Sequence, residues 1–174
     1  MNIVHDIDKS AITPDKFTAV IEIPYGSKMK YEIDKATGML RLDRILKTAM
    51  AYPANYGFIP RTLSPDGDPL DVLVCMNETL EPLCLVDCIP VGVIYMVDNG
   101  ECDEKILAVP TFKGSNYTEV PQFKIDEIVH FCKQYKALQK DNNVEITRIG
   151  GKDDAKKVIV DAIALYNKKG AKKK

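Results

Sequence analysis

Three aspartates lie within six positions in the segment DGDPLDVLV, residues 66–74. Asp66, Asp68 and Asp71 are separated by glycine, proline and leucine, and an apolar run follows at once. Aspartate, glycine and proline commonly build turns, but one or two aspartates are enough for that purpose. Three converging carboxylates repel one another unless a positive charge lies among them. Because aspartate oxygens suit hard divalent cations, the spacing predicts a Mg²⁺ site at the entrance to a strand.

Two other kinds of metal site do not fit this sequence. A calcium loop of the EF-hand type that began at Asp66 would need glycine at its sixth position and glutamate at its twelfth, where the chain has Asp71 and Asn77. A zinc site fails as well, because Cys84 and Cys88 are four apart and neither histidine lies at a matching spacing. The acidic segment is therefore not explained by calcium or zinc.

Several familiar catalytic motifs are missing from the sequence. It has no GxSxG segment for a serine nucleophile, no GxxxxGK(S/T) phosphate loop and no GxGxxG. If the chain handles phosphate, lysines and arginines dispersed along it must bind the phosphate.

Short strand patterns dominate the first two thirds of the chain. FTAVIEIPYG and MKYEID are strand-like, and DKATGMLRLDRIL supplies a glycine-containing turn into a third strand, which predicts an opening hairpin meander. Further β-rich runs are DVLVCM, CLVDCIPVGVIYMVD and EKILAVPT. The last two are joined across Asn99-Gly100, a strong signal for a tight turn.

The hydrophobic period changes to that of a helix near residue 122. A helix is predicted over 122–140 from apolar positions on one face: Ile125, Ile128, Val129, Cys132, Tyr135 and Leu138. NVEITRI then returns to strand spacing, and a cap at Asp153 or Asp154 opens a second helix that reaches Tyr166. Strands followed by two late helices predict an α+β fold, and several short antiparallel strands favour a small barrel.

Length and charge set limits on the possible classes of protein. With 174 residues, 45% of them hydrophobic, the chain can bury one sizeable core, so a single domain over 1–174 is expected. Its 24 basic and 25 acidic residues give a net charge of −1, which favours neither nucleic acid nor an anionic membrane as partner. The lysines near the C-terminus predict a frayed basic tail over 168–174.

The N-terminal segment and the cysteines bear on the compartment. The first residues are charged throughout and lack the apolar core of a signal peptide, and no stretch approaches the roughly 18 apolar residues of a membrane span. We therefore expect a cytoplasmic protein. The cysteines are odd in number, lack a CxxC pair and lie mostly in apolar segments, which predicts reduced, buried thiols. They are Cys75, Cys84, Cys88, Cys102 and Cys132.

Several charged residues interrupt otherwise apolar strands. Taken alone, each is most simply an outward-facing charge on a half-exposed strand. This interpretation covers Glu22, Lys30, Glu32, Asp98, Asp103 and Lys105.

Five segments, in this order and spacing, resemble the soluble family I inorganic pyrophosphatases of the prokaryotic type. They are IEIPYGSKMKYEIDK, DRILKTAMAYPANYGFIP, DGDPLDVLV, PVGVIYMVDNGECDEKILAVP and HFCKQYKAL. The block D-(G/S)-D-P-x-D-V is highly specific to that family, and the match runs from about Phe17 to the last helix. The resemblance implies a five-stranded OB-like barrel and Mg²⁺-dependent hydrolysis of pyrophosphate to two orthophosphates, with several Mg²⁺ ions in each active site.

The resemblance also implies roles for individual residues. Metal binding falls to Asp66, Asp71, Asp98 and Asp103, with Glu22 and Glu32 in support. Asp68 is the base that activates the attacking water, and the catalytic group comprises Asp68, Tyr56, Arg44 and Lys30. Phosphate oxygens are bound by Lys30, Arg44, Lys105 and Lys136 and oriented by Tyr52, Tyr56 and Tyr135. Every one of these positions carries the residue type that the family pattern expects.

Pyrophosphate chemistry agrees with this mixture of charges. A purely acidic pocket would reject a compact polyanion, and a purely basic one would bind it without making a nucleophile. Carboxylates with Mg²⁺ solve both problems, because two cations about 3.5–4 Å apart activate a shared water and neutralise charge in the transition state. Phosphoryl transfer needs mainly positioning and electrostatics, which explains the absence of a covalent nucleophile.

Two alternatives without catalysis remain. An OB-type barrel that binds single-stranded nucleic acid would need a basic groove with exposed aromatic side chains, whereas the candidate groove is rimmed by acids. A protein that only stores cations would leave the lysines, arginine and tyrosines without a purpose.

Family members of this length are typically homohexamers, which implies assembly partly through the helix that carries His130. Gln134 stands where several bacterial members have a second interface histidine. The segment ITRIGG also departs from the VEGW-like pattern of the family, which often carries a tryptophan. This chain has no tryptophan.

Overall fold

The structure is a computed structural model that describes residues 2–140 and 142–170. A short 3₁₀ turn at Lys9–Ala11 precedes the regular elements. In chain order these are β1 (Phe17–Ile23), β2 (Met29–Ile33), β3 (Leu40–Ile45), β4 (Asn55–Ile59), β5 (Leu70–Val74), β6 (Leu85–Asp98), β7 (Glu101–Cys102), β8 (Lys105–Pro110), α1 (Gln122–Gln134), β9 (Val144–Gly151) and α2 (Lys152–Gly170).

Five strands form a closed ring of pairings. β1 pairs with β4, β4 with β5, β5 with β8, β8 with β6, and β6 returns to β1. β7 and β9 extend β6 outside this ring. The expected α+β fold with a five-stranded ring is confirmed, but the expectation of antiparallel strands holds only in part, because β5 and β8 run parallel.

The prediction that the chain opens with a hairpin meander is wrong. β2 and β3 form a separate antiparallel hairpin, and among the described residues β1 pairs with β4 and β6 and not with β2. All seven residues of β1 are buried, because the hairpin covers the side of the strand that would otherwise face water. The hairpin thus forms a second layer over the ring.

Strand β4 was not predicted from the sequence, since Gly57 and the flanking prolines, Pro53 and Pro60, weaken its strand pattern. Gly57 is nevertheless required there: a Cβ at this position would lie 1.8 Å from the carbonyl oxygen of Val20 on β1. The close approach of the two backbones permits only glycine.

The two helices cover opposite faces of the ring strands. α2 contributes Ala155, Ile159 and Ala162 to a core cluster that also contains Phe17 and Val93. α1 contributes Ile128, Phe131 and Cys132 to a second cluster, where they pack with Leu73 and Leu107. Both faces of β5 and β8 are covered, which agrees with apolar residues on both sides of each strand beyond Asp71 and Lys105.

The helix ends differ from the predicted ones. α1 ends at Gln134, six residues early, and Leu138 beyond it is 65% exposed. α2 begins at Lys152, with Asp153 and Asp154 in its first turn, and it includes residues 168–170 of the predicted tail. Residues 171–174 of that tail lie outside the described residues. Neither helix in the described ranges combines the length and apolar character that a bilayer crossing requires.

The predicted tight turn at Asn99-Gly100 is confirmed, and the predicted burial of the cysteines is confirmed for three of the five. Asn99 and Gly100 have φ of 51° and 86°, as a tight turn between β6 and β7 requires. The cysteines are free thiols, and three are buried: Cys75, Cys88 and Cys132. Cys84 is half-buried. Cys102 is exposed on the short strand β7, which lies at the edge of the sheet beside β6.

Candidate active site

A cleft of about 390 Å³ lies between the β2–β3 hairpin, the loop 60–69 and the start of β8. All of the predicted site residues except Tyr52 line it. They are Glu22, Lys30, Glu32, Arg44, Tyr56, Asp66, Asp68, Asp71, Asp98, Asp103, Lys105, Tyr135 and Lys136. Residues scattered over more than a hundred positions of the chain therefore meet in one place.

Tyr52 lies behind the wall of the cleft. It is 3% exposed and packs between Tyr56 and Phe131, with ring centroids 5.3 and 4.8 Å away. A separate cavity of about 20 Å³ adjoins it. Burial raises the pKa of its phenol well above the ordinary value. Tyr52 thus supports Tyr56 from behind.

Lys105 is the central cation of the cleft. Its ammonium donates to Asp71 Oδ2 at 2.7 Å, to Asp103 Oδ1 at 2.8 Å and to the Tyr56 hydroxyl at 3.2 Å. Burial by itself lowers the pKa of Lys105, but the negative charges of Asp71 and Asp103 outweigh burial and hold the pKa well above its usual value. The outward-facing interpretation of Lys105 is wrong, because this residue is 5% exposed and faces the carboxylates.

The three aspartates of the opening segment have different surroundings. Asp71 pairs with Lys105, and burial raises the pKa of its carboxyl although Lys105 opposes the rise. Asp66 Oδ1 accepts from the Asp68 backbone N–H at 2.9 Å, and burial raises the pKa of Asp66. Asp68 extends toward solvent, 61% exposed, and its Oδ1 pairs with Lys35. The aspartates therefore do not share one function.

Asp98, at the end of β6, and Lys136, just beyond α1, form an ion pair on the opposite wall. The interpretation of Asp98 and Asp103 as outward-facing charges is wrong, because both side chains are less than a fifth exposed. The Oδ1 atom of Asp98 is buried and has no hydrogen-bond partner among the described residues. An unsatisfied carboxylate oxygen at this depth is costly unless a cation or donor contacts it.

The donor set fits a hard divalent cation. Its ligands would be carboxylate oxygens, the type that Mg²⁺ prefers. Across residues 2–140 and 142–170, no three acidic, histidine or cysteine side chains already converge as a metal cluster. Lys105 and Lys136 lie against the carboxylates instead. The carboxylates that now pair with Lys105 and Lys136, and the unpaired Oδ1 of Asp98, are oxygen ligands that fit Mg²⁺.

The β2–β3 hairpin supplies the basic rim. Lys30 and Arg44 are cross-strand partners, and both contact Asp43: Lys30 Nζ lies 3.3 Å and Arg44 Nε 2.7 Å from its Oδ2. Lys30 also pairs with Glu32, and Arg44 donates to Gln139 at 3.2 Å. Lys30 and Glu32 thus form a pair on the rim. The outward-facing interpretation fits Glu32, whose side chain is 54% exposed, but it is wrong for Lys30, whose side chain is 17% exposed.

Glu22 links the hairpin to the ring. It is 8% exposed, and its Oε1 accepts from the Ile33 backbone N–H at 2.8 Å. Burial raises the pKa of Glu22 to about 8. The outward-facing interpretation fails here because alternation along one strand does not reveal that a second layer covers it.

Two residues of the site were not identified from the sequence. Lys35, in the turn between β2 and β3, lines the cleft and pairs with Asp68. Asp43 contacts both basic residues of the rim, Lys30 and Arg44. Burial raises the pKa of the Asp43 carboxyl, but hydrogen bonds and charges from Arg44 and Lys30 outweigh burial and lower it. The alternation of LRLDRIL placed Asp43 on a strand face, but nothing in that pattern indicated its partners.

The charges of the cleft do not favour a nucleic-acid-binding groove. Carboxylates outnumber lysines and arginines along its walls. Tyr135 is 8% exposed and stacks on Phe131 rather than presenting a free ring to a base. A nucleic-acid groove needs the opposite features, a basic surface with exposed aromatic rings.

Sequence comparisons identify similar proteins over most of the chain. The family profile described as inorganic pyrophosphatase matches residues 19–167. "Inorganic pyrophosphatase" from Agrobacterium fabrum is 45% identical over 165 residues, which cover 90% of this chain and 93% of the relative. "Inorganic pyrophosphatase" from Brucella melitensis is 46% identical over 158 residues, 86% of this chain and 90% of the relative.

Solved structures agree with the sequence comparison. The inorganic pyrophosphatase of Thermus thermophilus superposes with a TM-score of 0.87 at 36% identity, covering 96% of this chain and 99% of its own. The inorganic pyrophosphatase of Helicobacter pylori superposes with a TM-score of 0.85 at 37% identity, covering 92% and 99%.

Proposed function

The chain belongs to the inorganic pyrophosphatase family, and on that basis we propose that it hydrolyses pyrophosphate to two orthophosphates with Mg²⁺ as its cofactor. One observation carries the proposal: a single cleft brings together acidic side chains for cations and basic side chains for phosphate. A site for cations alone would not need the basic residues. A site for anions alone would not need the acidic ones.

The carboxylates would divide into two groups by role. Asp66, Asp71, Asp98 and Asp103 would hold Mg²⁺, with Glu22 and Glu32 supporting them. Bound Mg²⁺ supplies positive charge against the phosphates and makes water more acidic. If Mg²⁺ neutralised these carboxylates, Lys105 and Lys136, which now pair with Asp71 and Asp98, would be free to bind phosphate oxygens. The ion pairs of the free protein thus hold the lysines in place for the substrate.

Asp68 would act as the general base. Its carboxylate is 61% exposed and pairs with Lys35, an exposed lysine, rather than with a buried one. Proline at position 69 restricts Asp68 to extended backbone, so its carboxylate need not point the same way as those of Asp66 and Asp71. A positioned base of this kind takes the proton of the attacking water.

The basic and phenolic groups would bind and orient the phosphates. Lys30 and Arg44 approach from the hairpin, while Lys105 and Lys136 approach from the ring and from the end of α1. Tyr56 and Tyr135 offer hydroxyl donors between them, and Tyr52 supports Tyr56 through ring packing. Their fixed charges stabilise negative charge that develops on the leaving phosphate.

Phosphate release from pyrophosphate tests the proposal directly. The purified chain should release phosphate with Mg²⁺, lose that activity in EDTA, and regain it when Mg²⁺ is added in excess. Undiminished hydrolysis in the chelator would exclude the metal mechanism. Binding of single-stranded oligonucleotides without phosphate release would favour the nucleic-acid alternative.

The assembly and compartment are further parts of the proposal. We expect a cytoplasmic homohexamer without nucleic-acid or membrane partners, an expectation that rests on the family resemblance. His130 is exposed on α1, where a second copy can reach it. Light scattering should give six times the mass of the chain, and His130→Glu should reduce it, while Val160→Glu on α2 should not. A monomeric wild type would refute this assembly.

A further inference from the structure

The hydroxyl of Thr62 closes the mouth of the acidic loop 60–69. Thr62 is fully buried, and its Oγ1 donates to the Ile59 carbonyl oxygen at 2.5 Å and accepts from the Leu70 N–H at 2.9 Å. Ile59 ends β4, Leu70 begins β5, and the two are cross-strand partners. One side chain therefore joins both ends of the loop that carries Asp66 and Asp68.

Beyond that mouth, the loop is held by a short chain of bonds. The Ser64 N–H donates to the Asp68 carbonyl oxygen at 2.7 Å, and the Gly67 N–H donates to the Ser64 carbonyl oxygen at 3.0 Å. The Asp68 N–H in turn contacts Asp66 Oδ1 at 2.9 Å. The aspartates are thus fixed relative to each other by the loop itself, and relative to the rest of the cleft by its two ends.

We infer that Thr62 is a positioning residue, which sets the place of Asp66 and Asp68 for Mg²⁺ binding and water activation. The inference rests on the proposed function, since it concerns the same cleft. Without the hydroxyl, the buried Ile59 carbonyl and Leu70 N–H lose their shared partner and the loop mouth must rearrange to satisfy them. A displacement of about 1 Å at a catalytic group is enough to impair catalysis strongly.

The chemistry of threonine explains why this residue suits the position. A hydroxyl donates and accepts at once, so a single oxygen serves both strands. Valine has nearly the same shape but neither function. Serine keeps the hydroxyl but lacks the methyl group that restricts χ1. The hydrogen bonds and the volume can therefore be separated by substitution.

Mg²⁺ affinity without substrate is the decisive measurement. We expect Thr62→Val to raise the calorimetric Kd for Mg²⁺ about 10–100-fold and to lower kcat, the range seen when a residue that orients metal ligands is removed. Thr62→Ser should return the Kd to near the wild-type value. Thr18→Val is the matched control, because Thr18 is also buried and donates to Asp87 at 2.8 Å, outside the cleft.

The outcomes separate positioning from stability. If Thr62→Val lowers the melting temperature as Thr18→Val does and leaves the Mg²⁺ Kd unchanged, the inference is overturned. If Thr62→Val does not fold, Thr62→Cys is measured instead, because it keeps a weak donor in place of the hydroxyl. A Mg²⁺ Kd above that of the wild type supports the inference, and a wild-type Kd overturns it. Failure of the wild type to hydrolyse pyrophosphate would refute the proposed function, whereas the Kd comparison would still decide the role of Thr62.

Discussion

Asp71 and Lys105 lie in register on the parallel strands β5 and β8, and the ammonium of Lys105 contacts Asp71 Oδ2 at 2.7 Å. The parallel direction places the first residues of both strands side by side at one end of the ring. The acidic loop enters that end just before Asp71, and Asp103 precedes Lys105 by two residues. The strand arrangement therefore brings two acidic segments and a buried lysine together without any motif that contains all of them.

Replacing this lysine should destabilise the metal-free protein. Lys105→Met leaves Asp71 and Asp103 close together without their cation, so we expect a loss of about 3 kcal/mol in the free energy of unfolding. Urea unfolding in EDTA measures it. Lys16→Met is the control, because Lys16 pairs with Asp87 at an exposed site and its loss should cost below about 1 kcal/mol. Equal losses in the two variants would contradict the central role of Lys105.

Arg44 offers a test of phosphate binding that leaves the core intact. Arg44→Ala should lower kcat about 10²–10³-fold, the effect usually seen when one donor to a developing negative charge is removed. Its melting temperature should stay close to that of the wild type, since the side chain lies on the rim. Lys136→Ala should also slow the reaction.

Arg148→Ala is the control for charge alone. Arg148 is exposed and pairs with Asp154 at the base of α2, so its removal should leave the kinetics unchanged. Unaltered kinetics in Arg44→Ala and Lys136→Ala, with melting temperatures preserved, would show that the phosphate assignment is wrong.

Thiol reagents should distinguish the cysteines by burial. Burial raises the pKa of Cys75 to about 12 and that of Cys132 to about 11. The thiolate is the reactive form, so both should be almost unreactive at neutral pH in the folded protein. Cys102, which is exposed, should react first with a chromogenic disulfide, and Cys102→Ser should remove that fast phase.

All five thiols should react after unfolding in urea, which provides the internal control for reagent and protein concentration. A fast phase that persists in Cys102→Ser at the same amplitude would mean that another thiol, half-buried Cys84 or one of the buried ones, is accessible.

The site was largely predictable from the sequence, and its surroundings were less so. The crowded aspartates and the ordered segments around them lead to the residues that line the cleft, because their types reflect the chemistry directly. Glu22 shows the limit: the period of β1 describes one strand, whereas the burial of Glu22 depends on the hairpin that packs over it. Lys35 pairs with Asp68, which is distant in sequence, and Asp43 joins its neighbour Arg44 to Lys30 across the hairpin. The alternation of a single strand does not reveal these contacts.

The fold was predictable to a similar degree. Apolar runs located most strands, but such runs carry no information about strand direction, so the parallel pair β5–β8 could not be inferred. β4 was missed because Gly57 weakens a strand pattern, although the tight approach to Val20 requires it. Long-range packing decided both points, and local propensity decided neither.

Asp68 should differ in role from its two neighbours. Its exposed carboxylate pairs with Lys35, whereas Asp71 pairs with buried Lys105 and Asp66 holds a backbone N–H of the loop. Asp68→Asn keeps the shape of the side chain but removes the proton acceptor, so the main loss should be in kcat, by about 10²–10⁴-fold. Asp66→Asn and Asp71→Asn keep one oxygen but lose the charge, and they should instead raise the Mg²⁺ concentration needed for half-maximal rate.

A Mg²⁺ titration of the rate for the three variants separates base from ligand. Asp66→Asn keeps the side-chain oxygen that can accept from the Asp68 N–H, so the loop should retain its shape and excess Mg²⁺ should restore part of the rate. The same should hold for Asp71→Asn, since a weakened ligand is compensated by mass action. Saturating Mg²⁺ cannot replace a missing base, so Asp68→Asn should stay slow at every concentration. Recovery of Asp68→Asn to near the wild-type rate in excess Mg²⁺ would identify Asp68 as a metal ligand.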